Sequence, residues 1–162
     1  MVSVAGRFAM SQADTYIVFE LDGAAYAVRS ADVQHVEMLE HVTRVPNTAA
    51  AVDGVVFSRG QVFPALNLRA RFGLPRVAYT PQTRLIFLKV QNRVVALIVD
   101  AAREFQRIPA DAVRPIEETL VGIQGNHVAG VATVKGRSVL ILDVGVVLTL
   151  EETTVPEGAP TK

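Results

Sequence analysis

Two aspartates and one serine are the first residues to test for chemistry. Asp100 and Asp143 each end an apolar run, Val94-Val-Ala-Leu-Ile-Val99 and Val139-Leu-Ile-Leu142. Two carboxylates facing each other across a cleft are the minimum for glycosidase-type acid–base work, and this pairing stays open on sequence alone. An aspartate at the end of a strand is also a common turn former. Ser58 stands in Phe57-Ser58-Arg59-Gly60 with no Gly-x-Ser-x-Gly elbow around it. His35, His41 and His127 have no metal-ligand spacing, and no cysteine accompanies them, so neither a metal nor another cofactor is expected. Gly54 and Gly60 enclose five residues, but Gln61 and Val62 follow where a phosphate loop needs lysine and a hydroxyl. Catalysis is unsupported. Two charges stand out more. Glu37 lies within an apolar strand, and Arg59 sits with Gly60 at a hairpin tip. Together they make a candidate polar contact point on an apolar surface, where arginine is a favoured anchor.

The elements around these residues come in duplicate. Gly54-Val-Val-Phe-Ser-Arg-Gly-Gln-Val-Phe-Pro-Ala-Leu-Asn-Leu68 returns in degenerate form as Gly130-Val-Ala-Thr-Val-Lys-Gly-Arg-Ser-Val-Leu-Ile-Leu-Asp-Val144. Each block reads as strand, Arg/Lys-Gly turn, strand and short helix, which implies two related halves. Tyr16–Leu21 and Ala24–Val28 flank Asp22-Gly23, a strong hairpin signal. Arg84–Val90 and Val94–Val99 repeat that arrangement around a polar turn. Val33–Leu39 reads as a strand, Arg69–Phe72 as one helical turn stopped by Gly73, and Val144–Leu150 as a short terminal helix. Segment 73–83, with two prolines and a glycine, is the expected linker between halves. Residues 120–125 read as a connecting loop. Short strands separated by turn signals predict an antiparallel barrel architecture in duplicate.

Composition narrows the function. The 162 residues carry sixteen basic and sixteen acidic side chains, so the basic excess of a nucleic-acid binder is missing. Without tryptophan, and with three tyrosines and seven phenylalanines scattered along the chain, a base-stacking platform is not expected either. Half the residues are hydrophobic, which excludes a disordered chain, yet no run approaches the ~20 apolar residues that span a bilayer. No membrane insertion or signal peptide is expected. The absence of cysteine fits a reducing cytoplasm.

In this order and spacing, the motifs resemble the CheW adaptor family of bacterial chemotaxis. The resemblance covers about residues 14–152. It rests on Tyr26-Ala-Val28, Val33 with Val36-Glu37, Thr43 with Val45-Pro46, Gly54-Val-Val56, Arg59-Gly60, Val62-Phe-Pro-Ala-Leu66, Leu68-Arg69, Phe72-Gly73, Val99-Asp100, Gly130-Val131 and Leu140-Ile-Leu-Asp143. It implies an all-β fold of two five-stranded, SH3-like antiparallel barrels with short helices. These form a single domain of two intertwined subdomains over 14–152, with a flexible arm at 1–13 and a disordered tail at 153–162. It also implies a non-catalytic cytoplasmic adaptor, recruited to membrane-associated receptor arrays. Its implied partners are the regulatory domain of a CheA-type histidine kinase and the cytoplasmic tip of a methyl-accepting chemoreceptor. The family's characteristic surface Glu and Arg fall on Glu37 and Arg59. Val28, Val33, Val36, Val99 and Phe105 are the candidates for lining the receptor groove between the barrels. Phe57-Ser58, where the family usually has Asn-Leu, and Asn67, where it usually has Asp, depart from the pattern. They bear on partner identity, and leave open a diverged module of a non-flagellar pathway that binds only a receptor or another protein.

Overall fold

The computed structural model describes residues 13–116 and 127–148. Ten strands form two five-stranded sheets. They are β1 (Ala13–Leu21), β2 (Ala24–Arg29), β3 (Val33–Met38), β4 (Val52–Ser58), β5 (Gln61–Asn67), β6 (Arg84–Val90), β7 (Arg93–Val99), β8 (Ala101–Pro109), β9 (Val128–Val134) and β10 (Arg137–Leu142). One sheet has the order β8-β1-β2-β10-β9 and the other β3-β6-β7-β5-β4. A single helical turn follows β5 at Leu68–Arg71, and another follows β10 at Val144–Val147. The expected strand at Val33 and both helical turns are present. Residues 1–12 of the arm, the 120–125 loop and the tail lie outside the described residues, and Ala13 already belongs to β1.

The duplicated unit is hairpin, strand, hairpin, helical turn, but neither sheet is made from one unit. Each sheet takes the first hairpin of one repeat and the remaining three strands of the other. Segment 73–83 does join one repeat to the next, as expected, but β5 and β6 on either side of it lie in the same sheet. The chain changes sheets at two other places, the 3₁₀ turn Ser30–Asp32 and Asp100. The sheets are also mixed rather than purely antiparallel. Where hairpins from different repeats meet they run parallel, Ala25 opposite Val139 in one sheet and Ala65 opposite Ala96 in the other. No short turn connects those strands, so nothing imposes the antiparallel sense.

Both faces of the central strands are buried, which explains why β1, β6 and β7 read as apolar runs instead of alternating. On β1, Ile17, Phe19 and Leu21 enter a core shared between the sheets, while Tyr16 and Val18 enter a cluster belonging to their own sheet. On β6, Ile86 and Leu88 take the shared core, and Leu85 and Phe87 the private one. Period-two geometry makes this division automatic. Side chains tie the outer strands of each sheet together. Ser58 of β4 meets Glu37 and His35 of β3. In the other sheet Lys135, at the β9–β10 turn, reaches Glu104 of β8 at 3.3 Å.

Polar clamps fix the crossings. Arg69 grips Asp100 with two parallel bonds, Nε to Oδ1 at 3.0 Å and Nη2 to Oδ2 at 2.8 Å, while the Asp22 amide donates to the same carboxylate at 2.8 Å. Asp100 thus joins the turn of one sheet's hairpin to the helical turn of the other. Arg71 donates to the carbonyls of Val146 and Val147, binding the two helical turns to each other. Segment 73–83 is latched by Asp53, which accepts from Arg76 Nε at 2.9 Å, Tyr79 Oη at 2.6 Å and Asn67 Nδ2 at 2.8 Å. Burial, then the hydrogen bond to Asp53 and its charge, push the Tyr79 phenol well above its ordinary value.

Candidate protein-docking surface

The β4–β5 hairpin turns at Arg59 and Gly60, both with positive φ, 52° and 79°. Two consecutive left-handed residues define the tight turn whose twist matches antiparallel strands. Arginine adopts that conformation only at a cost, and Gly60 relieves the second position. Below the tip Phe57 pairs with Val62 across the strands. These side chains are 67% and 51% exposed, far above their apolar neighbours in the core, and Met38 at the end of β3 is 56% exposed. Among the described residues the Arg59 guanidinium has no ion pair or side-chain hydrogen bond.

The equivalent hairpin in the other sheet provides an internal control. Its tip is Lys135-Gly136, again with positive φ at both residues. The cross-strand pair matching Phe57–Val62 is Thr133–Ser138. Its cation is taken up by Glu104. One copy of the motif is therefore polar and neutralised, and the other is apolar and carries a charge open to solvent. Matching turns and tip pairings with opposite surfaces argue that the apolar pair belongs to binding and not to hairpin formation.

Glu37 lies beside the tip end of the apolar hairpin, against Ser58. Its Oε2 accepts from the Ser58 hydroxyl and lies 2.8 Å from His35 Nε2, with the His35 ring stacked on Phe87. The expected partnership with Arg59 takes a different form. No Glu37–Arg59 ion pair occurs among the described residues, and Ser58, which directly precedes Arg59, links the two sites. This Ser–His–Glu cluster is not a hydrolytic triad. Serine and carboxylate both approach the same ring nitrogen, whereas a triad needs them on opposite nitrogens.

The aspartates are equally committed elsewhere. Asp100 is held by Arg69. Burial disfavours its ionisation, but the Arg69 hydrogen bonds, the Asp22 amide and the Arg69 charge outweigh burial and hold the carboxyl below its usual range. Asp143 caps the second helical turn by accepting from the Val146 amide at 3.2 Å, and Asn67 caps the first by accepting from Ala70. Among the described residues no group of three or more His, Asp or Glu side chains is placed to hold a metal, and no helix is long and apolar enough to cross a membrane.

The five apolar candidates separate into three environments. Val28 and Val99 were expected at a groove, but they are 0% and 1% exposed and form part of the shared core. Both lie on strands with neighbours on either side, so their inward faces have no access to solvent. Val33 and Val36 lie on edge strand β3, half-buried against the same core. Phe105 lies on edge strand β8 opposite Ile17, a shared-core residue, and is 68% exposed. Met38 and Val62 carry no signal of exposure in the sequence, and Phe57 stands out there only as a departure from the family pattern. Phe57 and Val62 stand in runs that are apolar at successive positions, which hides the face that each side chain takes, and Met38 ends its strand with nothing after it to mark its face.

Comparison with known proteins agrees with this architecture. Residues 15–152 match the CheW-like domain family. The chain is 28% identical over 137 residues to the chemotaxis protein CheW of Klebsiella aerogenes, covering 85% of this chain and 82% of that protein. It is 30% identical over 133 residues to the Helicobacter pylori chemotaxis protein CheW, covering 82% and 80%. The crystal structure of the scaffolding protein TtCheW from Thermoanaerobacter tengcongensis superposes with a TM-score of 0.77 at 23% identity, over 88% of this chain and 97% of that one.

Proposed function

This chain belongs to the CheW-like domain family, and from that premise we propose that it is a non-catalytic adaptor coupling chemoreceptors to a CheA-type histidine kinase. The observation that supports a docking role most directly is the asymmetry between the two hairpins. Phe57, Val62 and Arg59 form an exposed apolar pair beneath an open cation, where the matching hairpin has Thr133, Ser138 and a paired lysine. An apolar centre with a charged rim is the usual composition of a reversible protein interface. In this reading the regulatory domain of the kinase docks on that hairpin with Glu37, Arg59 and Gly60. The receptor's cytoplasmic tip takes the seam between the sheets, where Val33, Val36 and Phe105 occupy edge strands. A helical tip would lie there in the helix-in-groove mode.

Calorimetric titration of the full chain against the regulatory domain of the CheA-type kinase from the same cell tests the proposal. Saturable one-to-one binding, lost on Phe57→Ser with unfolding temperature unchanged, is the expected result. Absence of a complex at high concentration would overturn kinase coupling.

A further inference from the structure

The Ser58–His35–Glu37 cluster borders a surface cavity of about 400 Å³ whose walls include Glu37, Met38, Glu40, Phe57 and Leu85. Glu37 and Glu40 supply carboxylates and Met38 and Phe57 supply exposed apolar surface; His41 also lines the cavity, and no lysine or arginine does. The cation nearest in register is Arg84, opposite Met38 on β6, and its Nη1 is spent on the Pro81 and Thr83 carbonyls.

From this arrangement we infer that Ser58 and His35 hold Glu37 as a pre-set acceptor for a lysine or arginine of the docking partner, whose aliphatic stem packs against Met38 and Phe57. The inference rests on the reading of this hairpin as the kinase-docking face and adds the chemistry that the partner must present there. A carboxylate offers about four acceptor positions. Both intramolecular bonds fall on Oε2, and among the described residues Oε1 has no hydrogen-bond partner. The Glu37 side chain is 31% exposed, so that oxygen stays within reach of a partner. Holding the carboxylate in place before binding removes rotamer entropy that would otherwise be lost at the interface. A basic side chain has an apolar stem and a charged head, which matches a cavity with apolar walls and an acidic rim. Ser58 and His35 are positioning residues here; Glu37 makes the contact.

The experiment uses the full chain and the regulatory domain of the CheA-type kinase from the same cell, titrated at low and high salt. Glu37→Gln should weaken binding about tenfold and remove part of the salt dependence. Ser58→Ala should weaken it several-fold in the native background and not at all in the Glu37→Gln background, because it acts only through Glu37. Ser58→Thr, which keeps the hydroxyl, should restore affinity. Thermal unfolding of each variant separates loss of contact from loss of fold. Unchanged affinity in Glu37→Gln, with Phe57→Ala still weakening the complex, would overturn the inference and keep the docking face. Equal losses from Ser58→Ala in both backgrounds would overturn the positioning role. No complex with the native chain would overturn kinase coupling itself, and this inference with it.

Discussion

The side-chain amide of Asn67 donates to Asp53 at 2.8 Å while its oxygen caps the helical turn that follows β5. Asp143, at the matching position after β10, performs only the capping half of that task. The residue two places into β4 explains the difference. Asp53 corresponds to Ala129 in the second repeat, so the first cap has a carboxylate to donate to and the second repeat has none at that position. An aspartate at 67 would place two like charges in contact; asparagine both caps and donates.

Asn67→Asp is therefore expected to destabilise the fold by about 2 kcal/mol at neutral pH, since a hydrogen bond to a charged group is replaced by repulsion. Asp143→Asn should cost less than about 0.5 kcal/mol, because the two residues cap helices equally well. Denaturant titration of both variants checks this. Equal losses would show that Asp53 plays no part.

Asp100 gives the fold an acid-sensitive joint. Its folded carboxyl lies below the unfolded value of about 3.9. The stabilisation is complete above that unfolded value and is lost as pH falls through the folded one. Asp100→Asn should flatten the acid limb of the stability profile. Arg69→Ala should cost about 2 kcal/mol near neutrality by leaving the partly buried carboxylate without its fork. Melting temperature measured against pH reads both effects. An acid limb unchanged in Asp100→Asn would remove this joint as its source.

Gly54 and Gly60 fail differently when a methyl group is added. A Cβ on Gly54 would stand 2.1 Å from the Thr43 carbonyl oxygen, whereas one on Gly60 meets nothing within 4 Å. Gly54→Ala should destabilise by about 3 kcal/mol through overpacking, since the 43–55 bridge must open. Gly60→Ala pays only for its left-handed backbone, about 1 kcal/mol. Comparable losses in the two variants would contradict the close approach at Thr43.

Arg59 and Lys135 occupy equivalent turns, but only the first faces an apolar pair. Arg59→Glu should weaken kinase-domain binding by about tenfold or more. Stability should change by less than about 0.5 kcal/mol, as for other exposed sites. Lys135→Glu should leave binding intact, because its cation already serves Glu104. If both reversals weaken the complex alike, the apolar hairpin is not the discriminating surface.

The hairpins, their glycine turns and the duplicated block were legible along the chain because turn residues and β-branched runs act over a few positions. Glu37, Arg59 and Gly60 were legible too, as a charged strand residue and a hairpin tip. The motif order carried the family, and with it the fold class. Tertiary structure alone decided which hairpin entered which sheet, because equivalent apolar edges from the two repeats fit either partner until the crossings at Ser30–Asp32 and Asp100 are fixed. It also decided the faces of Val28, Val99, Phe57 and Met38. Strands such as β2 and β7, buried on both sides, lose the alternation that marks inside from outside, and β4 carries apolar residues on its outward face as well, so a valine in the core and a phenylalanine on the surface look alike in sequence. The partners of Asp53, Asp100 and Ser58 lie 14 or more positions away. Only the folded sheets bring those side chains within hydrogen-bond reach.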